Sequence, residues 1–308
     1  MSVLSPVKSA FFRGIDLLPK RAQEKCFWHL ARKFGVQEVV VNWKYGKIQG
    51  SVYDEGIFHE IVKTREFADD LVSLILRADR NTPFKTFLDI GANIGSLSIP
   101  LLQNTNVTSY AFEPEPNNFR MFQQNICRYG FGDRVHAYQV ALFDKDAELE
   151  FELSETHSGD HRLRMQREET TVEFFSETTR KTISVPAKRL DDLVQPESLA
   201  SPCVAKIDIQ GAEYHAYVGG REVLKRADLL VIELWPYAID RMGKNALSLV
   251  NMLLEDFAYG AILRNDQPYH DGDLNGPSSR FSASLRALAV NTHPGVWCDL
   301  VFSHKPMF

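Results

Sequence analysis

The sequence predicts an α/β protein built on a mostly parallel β-sheet. Apolar runs of strand length alternate with segments in which apolar residues recur every three to four positions, as in strand–helix–strand units. Four of these runs end in polar motifs that contain Asp, Glu or Lys. The carboxyl ends of neighbouring parallel strands meet at one sheet edge, where open α/β sheets bind ligands. We therefore expect one large α/β domain whose functional site lies at that edge.

Length and composition agree with a globular protein and exclude several other classes. Of the 308 residues, 44% are apolar and 24% are charged, which argues against disorder, fibres and collagen-like repeats. The net charge of −5 gives no bulk attraction for nucleic acid or anionic lipid. We expect no membrane span and no signal peptide, because no apolar run approaches about 20 residues. Widely spaced cysteines without a CxxC pair suggest a reducing cytoplasm: Cys26, Cys127, Cys203 and Cys298.

The N-terminal residues 1–58 are predicted to form a helical and hairpin cap. Residues 11–35 combine apolar and basic residues in a helical pattern, and strands at 39–43 and 48–53 flank a Tyr-Gly turn. The cap would precede a second domain at 59–308 and could provide the surface of a homo-oligomer.

The second domain is predicted to begin with an amphipathic helix at 59–78. The last two strands are separated only by a Gly-, Pro-, Ser- and Asn-rich stretch, so we expect them to pair antiparallel at the sheet edge. The elements expected after the first helix are strand 86–90, helix 94–102, strand 107–112, helix 116–129, strands 135–140, 203–209 and 229–234, helix 246–257, and strands 261–264 and 297–303.

A charged segment at 144–190 interrupts the alternation. Strand-like patterns at 148–153, 171–175 and 182–186 predict an inserted β excursion or lid rather than a further domain. Its polar loop at 158–162 reads Ser-Gly-Asp-His-Arg, which is typical of an active-site cover. A lone loop histidine is more often simply solvated.

A glycine turn follows the first strand of the alternation. Residues 89–95 read Asp-Ile-Gly-Ala-Asn-Ile-Gly, in which Gly91 permits a tight turn and the next helix offers free N–H groups. The middle glycine of the dinucleotide motif GxGxxG is missing, and Asp89 disfavours a phosphate but favours a cationic or hydroxyl ligand. The candidate cofactor-binding residues here are Asp89, Gly91, Ala92, Asn93 and Gly95.

An acid closes the next strand. Glu113, followed by Pro114, lies 22 positions after Gly91, where an acid binds ribose hydroxyls in nucleotide-binding folds. The alternative interpretation, an acid at a helix N-terminus, suits Glu115 better. The glycine turn and Glu113 together indicate a nucleoside site without a phosphate cradle, which suits S-adenosylmethionine.

Two later strands end in charged residues. Lys206 and Asp208 are two apart and share a strand face, Glu213 begins the next helix, and Glu233 ends the following strand beside Asp208. Charged side chains in buried strands are costly unless they are paired or functional. The alternative to a functional role is therefore a structural ion pair of Lys206 with Asp208 or with Glu213. The candidate catalytic residues are Asp208 as base or orienter, His161 as second choice of base, and Lys206 and Glu213 as tuning groups. Asp208 and Glu233 could instead hold a divalent metal ion.

These motifs resemble the FkbM-type S-adenosylmethionine-dependent methyltransferases. The resemblance rests on residues 89–95, on Phe-Glu-Pro at 112–114 with Asn-Ile at 125–126 behind it, and on Lys-Ile-Asp-x-x-Gly-Ala-Glu at 206–213. It covers about residues 60–235. One departure is Gln210, where the family usually has an acid.

The resemblance implies a Rossmann-like class I methyltransferase fold, with a seven-stranded sheet of order 3-2-1-4-5-7-6 and an antiparallel seventh strand. It also implies that Ala141 and Leu142 border the adenine, that Asp208 also lies at the cofactor, and that the reaction is O-methylation of a sugar or small natural-product hydroxyl. Two alternatives stay open: a nicotinamide-dependent oxidoreductase, which the missing glycine disfavours, and a non-catalytic S-adenosylmethionine-binding module.

Overall fold

The structure, a computed structural model, describes residues 28–164, 180–263 and 277–306. They fall into two compact units, one made of 28–67 with 155–157, the other of 68–154 with the described residues from 158 onward. The predicted strand at 171–175 and the first part of the predicted helix 11–35 lie outside the described residues. None of the described helices is long and apolar enough to cross a membrane.

The smaller unit is a hairpin with short helices. Residues 28–33 are helical and precede β1 (Glu38–Trp43), β2 (Gly46–Ser51) and α1 (Ile57–Thr64). The two strands pair antiparallel with Trp43 opposite Gly46, so the predicted hairpin is present. The apolar face of α1 is buried through Ile57, Phe58 and Ile61.

The larger unit contains all other elements. In chain order they are α2 (Asp69–Asn81), β3 (Thr86–Ile90), α3 (Ser98–Asn104), β4 (Thr108–Phe112), α4 (Pro116–Arg128), β5 (Val135–Tyr138), β6 (Ala141–Leu142), β7 (Ala147–Leu153), β8 (Arg162–Leu163), β9 (Lys181–Lys188), α5 (Leu190–Leu193), β10 (Cys203–Ile207), α6 (Glu213–Gly219), α7 (Arg221–Leu224), β11 (Leu229–Leu234), α8 (Pro236–Arg241), α9 (Ala246–Asp256), β12 (Tyr259–Leu263), α10 (Ser278–Ala289) and β13 (Cys298–Ser303).

A seven-stranded sheet organises this unit. Its order is β12-β13-β11-β10-β3-β4-β5, in which β13 runs antiparallel to both of its neighbours and the other pairs are parallel. Counted along the chain within this sheet, the order is 3-2-1-4-5-7-6 with an antiparallel seventh strand. The predicted fold class is confirmed.

Side chains alternate between the two faces of the sheet. One face carries the main core, with apolar residues such as Leu88, Ile90, Ile207 and Ile232 fully buried. Helices α6, α9 and α10 contribute Ala216, Leu249 and Leu285, among others, to the same cluster. This packing leaves the opposite face of the strands to carry charged groups where the strands end.

Two predicted helices have different bounds in the structure, for local reasons. The helix predicted over 59–78 is two helices, because Arg65 and Ala68 adopt left-handed φ values of 68° and 52° between α1 and α2. The helix predicted to start at 94 begins at Ser98, since Asn93 and Gly95 have φ values of 49° and 91°.

Helix α10, between the last two strands, was missed. Leu285 and Ala289 are buried one turn apart, but the first half of α10 contains three serines, so its apolar stripe is short in the sequence. The antiparallel pairing of β12 with β13 is nevertheless as expected.

The insert forms a second sheet of order β6-β9-β7-β8. The long strands β7 and β9 pair antiparallel along their length, which agrees with two of the predicted strands. Arg162 in β8 is fully buried, and its guanidinium lies 3.2 Å from Glu152 Oε2 and 3.5 Å from Asp160 Oδ1. Removing the guanidinium would leave two acids without this partner, so Arg162 anchors the loop at 158–161.

Candidate functional site

The glycine turn after β3 brings three strand ends together. The backbone N–H groups of Gly91 and Ala92 both donate to the carbonyl of Phe112, at 3.0 Å each, and Asp208 N–H donates to Ile90 O at 3.1 Å. Gly91 has a φ of 89°, and a Cβ at this position would lie inside contact distance of the Asp208 carbonyl oxygen. Glycine is therefore required here both for the turn and for the close approach of β10.

Asp89 is buried beneath this turn and has one unsatisfied oxygen. Its Oδ2 accepts a hydrogen bond of 2.6 Å from Ser98 Oγ, whereas Oδ1 is buried without a hydrogen-bond partner. Burial raises the pKa of the Asp89 carboxyl, and the positive charge of Lys206 opposes this shift. A buried, unsatisfied acceptor is costly in a native protein, so Asp89 is suited to a cationic or hydroxyl-bearing ligand.

Glu113 links the ends of β4 and the glycine turn. Its Oε2 accepts from Asn93 N–H and its Oε1 from Glu115 N–H, each at 2.9 Å. Burial raises the pKa of Glu113 to about 7, although these two hydrogen bonds oppose the shift. Glu115 instead caps α4 by accepting from Asn118 N–H at 2.6 Å, as the alternative interpretation suggested. Pro114 between them is buried.

Strand register places the charged residues of this edge on one face of the sheet. Lys206 pairs in register with Asp89 on one side and with Val231 on the other. Two residues further along their strands lie Asp208 and Glu233, and side chains two apart share a face. This face is opposite to the one that carries the main core.

Gln210 joins two of these acids. Its Nε2 donates to Asp208 Oδ1 at 2.8 Å and to Glu233 Oε2 at 3.1 Å. The other Asp208 oxygen lies 3.1 Å from Lys206 Nζ. Asp208 is thus oriented by two donors, while about 37% of its side chain remains exposed at the strand end. Gln210 has a left-handed φ of 55°, a conformation that an L-residue adopts at some cost.

Burial is the largest single influence on the pKa shifts among the charged residues at this edge of the sheet. It raises the pKa of Glu233 well above its usual range, and the charges of Asp208, Glu213 and Asp299 act in the same direction. Burial lowers the pKa of Lys206, but the adjacent Asp208 and Asp89 outweigh it, so the net pKa lies above its ordinary value. Lys206 therefore stays charged and neutralises part of the acidic edge.

Glu213 stabilises the backbone behind this group. It is fully buried, and it accepts hydrogen bonds of 2.9 Å from both Ile209 N–H and Gly211 N–H. Burial raises its pKa to about 7. Its carboxylate shapes the turn that carries Asp208 and Gln210, and the Lys206 ammonium instead lies next to Asp208.

Sequence reasoning missed Asp299. It pairs in register with Glu233 across β11 and β13, so both carboxyls project to the same face. Burial raises its pKa to about 6, with Asp208 acting in the same direction and Lys206 against it. The signal was an aspartate within the otherwise apolar run at 298–302.

The insert loop reaches the glycine turn through one contact. Asn93 Nδ2 donates to Ser158 O at 3.1 Å, and Ser158 begins a single 3₁₀ turn that ends at Asp160. Arg180 forms an ion pair with Asp160 and also donates to its carbonyl. His161 Nδ1 accepts from Ser154 N–H at 3.0 Å, which places the proton of a neutral ring on Nε2. Ala141 and Leu142 are buried in β6.

The family model described as "Methyltransferase FkbM domain" matches residues 89–260, more than half of the chain. The chain belongs to this family. The match begins at Asp89 and includes Glu113, Asp208 and Glu233, and membership implies S-adenosylmethionine as the methyl donor of this methyltransferase domain.

Two curated relatives cover part of the same region. The chain is 29% identical to the 2-O-methyltransferase NoeI of Sinorhizobium fredii over 171 residues, which are 53% of this chain and 66% of the relative. It is 24% identical to the hexuronic acid methyltransferase AglP of Haloferax volcanii over 205 residues, 66% of this chain and 70% of the relative. The crystal structure of an FkbM methyltransferase from Methylobacillus flagellatus is 16% identical, with a TM-score of 0.37 over 71% of this chain and 43% of that one.

The donor set of this methyltransferase fits a cationic nucleoside cofactor. Asp89 offers a buried acceptor oxygen without a partner, and Glu113 offers an acid at the second strand end. Within the described ranges, no three His, Cys, Asp or Glu side chains are grouped to hold a metal ion.

A pH dependence of cofactor binding follows from Glu113. If ionised Glu113 accepts the ribose hydroxyls and attracts a sulfonium, binding favours its deprotonated form and releases a proton below pH 7. We expect the affinity for S-adenosylmethionine, measured calorimetrically, to increase between pH 6 and pH 8. Glu113→Gln should bind about ten-fold more weakly and lose this part of the pH dependence. Equal slopes of affinity against pH in the wild type and in Glu113→Gln would contradict this role of Glu113.

A second prediction concerns the amide of Gln210. Gln210→Glu places a third carboxylate between Asp208 and Glu233, and like charges in a buried site raise each other's pKa. The pKa values of these three carboxyls would be higher in the folded than in the unfolded state, so the loss of folding stability grows as the pH rises. We expect the Tm of this variant to fall more at pH 8 than at pH 5. Gln210→Met removes the two hydrogen bonds without adding charge, so the difference between its Tm losses at pH 8 and pH 5 should be smaller than in Gln210→Glu.

Proposed function

We propose that this protein transfers the methyl group of S-adenosylmethionine to a hydroxyl of a sugar residue, with Asp208 as the base or orienting group. The observation that carries the proposal is the position of Asp208. Its backbone contacts the glycine turn, and its carboxylate, oriented by Lys206 and Gln210, is part exposed at the end of the central strand.

The sulfonium supplies an already activated methyl group, so the protein chiefly positions the acceptor oxygen and excludes water. Asp89 and Glu113 would bind the cofactor, together with Gly91, Ala92, Asn93 and Gly95. Asp208 would accept the hydroxyl proton as the new O–CH₃ bond forms. Lys206 and Gln210 would hold the Asp208 carboxylate in one orientation, and Glu213 would support the turn beneath it.

His161 is the second candidate for the base. Its Nδ1 already accepts a backbone hydrogen bond, so the Nε2 of a neutral ring is a donor. This favours a hydrogen-bonding role for His161 at the acceptor over proton abstraction, and it favours Asp208 as the base.

The names of the relatives support the acceptor class. One is a 2-O-methyltransferase and the other a hexuronic acid methyltransferase, and they match 53% and 66% of this chain. A hydroxyl acceptor also suits a site with several carboxylates, because carboxylates accept hydrogen bonds from sugar hydroxyls.

The test is transfer of an isotopically labelled methyl group from S-adenosylmethionine to a panel of methyl pyranosides: neutral, N-acetylated and uronic. We expect turnover with at least one of them and a product methylated on oxygen, as assigned by NMR. Thermal-shift measurements with S-adenosylmethionine, NAD and NADP accompany the assay, since a bound ligand raises the Tm. Stabilisation by NAD or NADP alone would favour an oxidoreductase, and cofactor binding without turnover would favour a binding module.

Metal dependence is examined with the same assay. Asp208 and Glu233 flank one amide nitrogen, and a divalent ion bridging them would have to displace Gln210. We therefore expect turnover to be unchanged by EDTA. Loss of activity with EDTA and recovery with Mg²⁺ would instead assign Asp208 and Glu233 to a metal site.

We also propose a cytoplasmic location, a cap at 1–58 preceding the catalytic domain at 59–308, and self-association through that cap. The free thiols of Cys127 and Cys203 support a reducing compartment. Light scattering of the full chain and of a chain lacking residues 1–67, a deletion that leaves no part of α1 behind, tests the self-association.

A further inference from the structure

One large aromatic side chain at the acidic edge has no role in the site described above. All four tryptophans lie in the described residues, and Trp297 is the exposed one, with 48% of its surface accessible. It immediately precedes β13. A single exposed apolar side chain is common on protein surfaces, so what distinguishes Trp297 is its position next to the acidic residues of the site.

The sheet places Trp297 beside the carboxylates. Leu234 pairs with Cys298, so the start of β13 lies at the carboxyl end of β11, where Glu233 and Asp208 also lie. Alternation along β13 puts Trp297 on the same face as Asp299, two residues away, a separation of about 7 Å. The indole is therefore close to the acidic edge and not on the core side of the sheet.

The segment that carries Trp297 is anchored at both ends. Trp235, which follows β11 and is only 6% exposed, donates from its indole Nε1 to Pro294 O at 2.9 Å. On the other side, β13 is paired with both β11 and β12. A preorganised aromatic surface costs little conformational entropy when a ligand binds it.

We propose that Trp297 is the stacking platform of the acceptor site and binds one face of a pyranose ring, with Asp299 accepting hydrogen bonds from its hydroxyls. A pyranose has an apolar C–H face and a hydroxyl-bearing rim, and an indole beside carboxylates matches both. The occupant is an uncharged sugar because the proposed reaction methylates a sugar hydroxyl, whereas a cationic acceptor, which an indole face also attracts, is one outcome of the test. The inference rests on the proposed sugar methylation and specifies how the acceptor is recognised.

The experiment compares three variants of the full-length protein: Trp297→Ala, Trp297→Phe and Val290→Ala. Val290 is 62% exposed and serves as a matched control for loss of an exposed apolar side chain. We expect Trp297→Ala to raise KM for the best methyl pyranoside about ten-fold, with kcat and S-adenosylmethionine affinity changed less than two-fold. Trp297→Phe should recover most of this loss, and Val290→Ala should have no effect.

Binding is measured separately from turnover by saturation-transfer NMR with the same methyl pyranosides. Binding that depends on Trp297, without methylation of any pyranoside, would support the platform while the proposed reaction fails. Unchanged KM and binding in Trp297→Ala would overturn the platform while leaving the reaction intact. No pyranoside binding by the wild type, or preferential binding of tetramethylammonium, would also overturn it.

Discussion

Replacing Asp208 by asparagine is expected to lower the kcat of methyl transfer by about 10²- to 10⁴-fold, the usual contribution of a general base. The variant keeps the size of the side chain and one acceptor for Gln210 or Lys206, so the fold should be preserved. Affinity for S-adenosylmethionine should change only a few-fold, since Asp89 and Glu113 supply the main cofactor contacts proposed. Single-turnover kinetics and calorimetry measure the two quantities separately.

The matched control is His161→Asn, which removes the second candidate base. If Asp208 is the base, His161→Asn should lower kcat by no more than about ten-fold, by loosening the loop that contacts Asn93 through Ser158. The opposite ranking, with the larger loss in His161→Asn, would transfer the role of base to the insert loop.

The second large effect is expected for Gly91→Ala. A Cβ at this position would collide with the carbonyl of Asp208 and lie 3.1 Å from Ile209 Cγ2. The left-handed φ of 89° adds about 1–2 kcal/mol for any L-residue. Because the collision is with backbone, the ends of β3 and β10 must separate. We expect a loss of at least about 3 kcal/mol in the free energy of unfolding and loss of cofactor binding.

Gly130→Ala is the control that separates the steric collision from the cost of a left-handed φ. Gly130 has a similar left-handed φ of 70°, but a Cβ there would meet nothing within 4 Å. Urea unfolding should therefore show only the conformational cost, about 1–2 kcal/mol, with cofactor affinity unchanged. Equal losses of unfolding free energy in the two variants would show that the collision with the Asp208 carbonyl does not add to the cost of Gly91→Ala.

Several features of the fold could be derived from residue patterns because their causes are local. Acids were recognisable near the ends of the apolar runs, because Asp89 and Glu233 are the last residues but one of β3 and β11 and Glu113 directly follows β4, and charged groups are costly in the middle of a buried strand. The glycine turn was recognisable because Gly91 must adopt a conformation that other residues avoid. The errors also have local causes: two left-handed residues split the helix predicted over 59–78, and serines concealed the start of α10.

The amino-acid sequence was sufficient to establish the order of the strands in the chain, most of the helices between them, the family resemblance and the acids near the strand ends. The sheet was needed to bring Asp208, Glu233 and Asp299 together, because they come from strands far apart in the chain and meet only through register. The role of Gln210 as a donor to two acids likewise depends on distances across the fold. Local patterns specify which residues end a strand, whereas strand neighbours and alternation specify which of them share a face and a site.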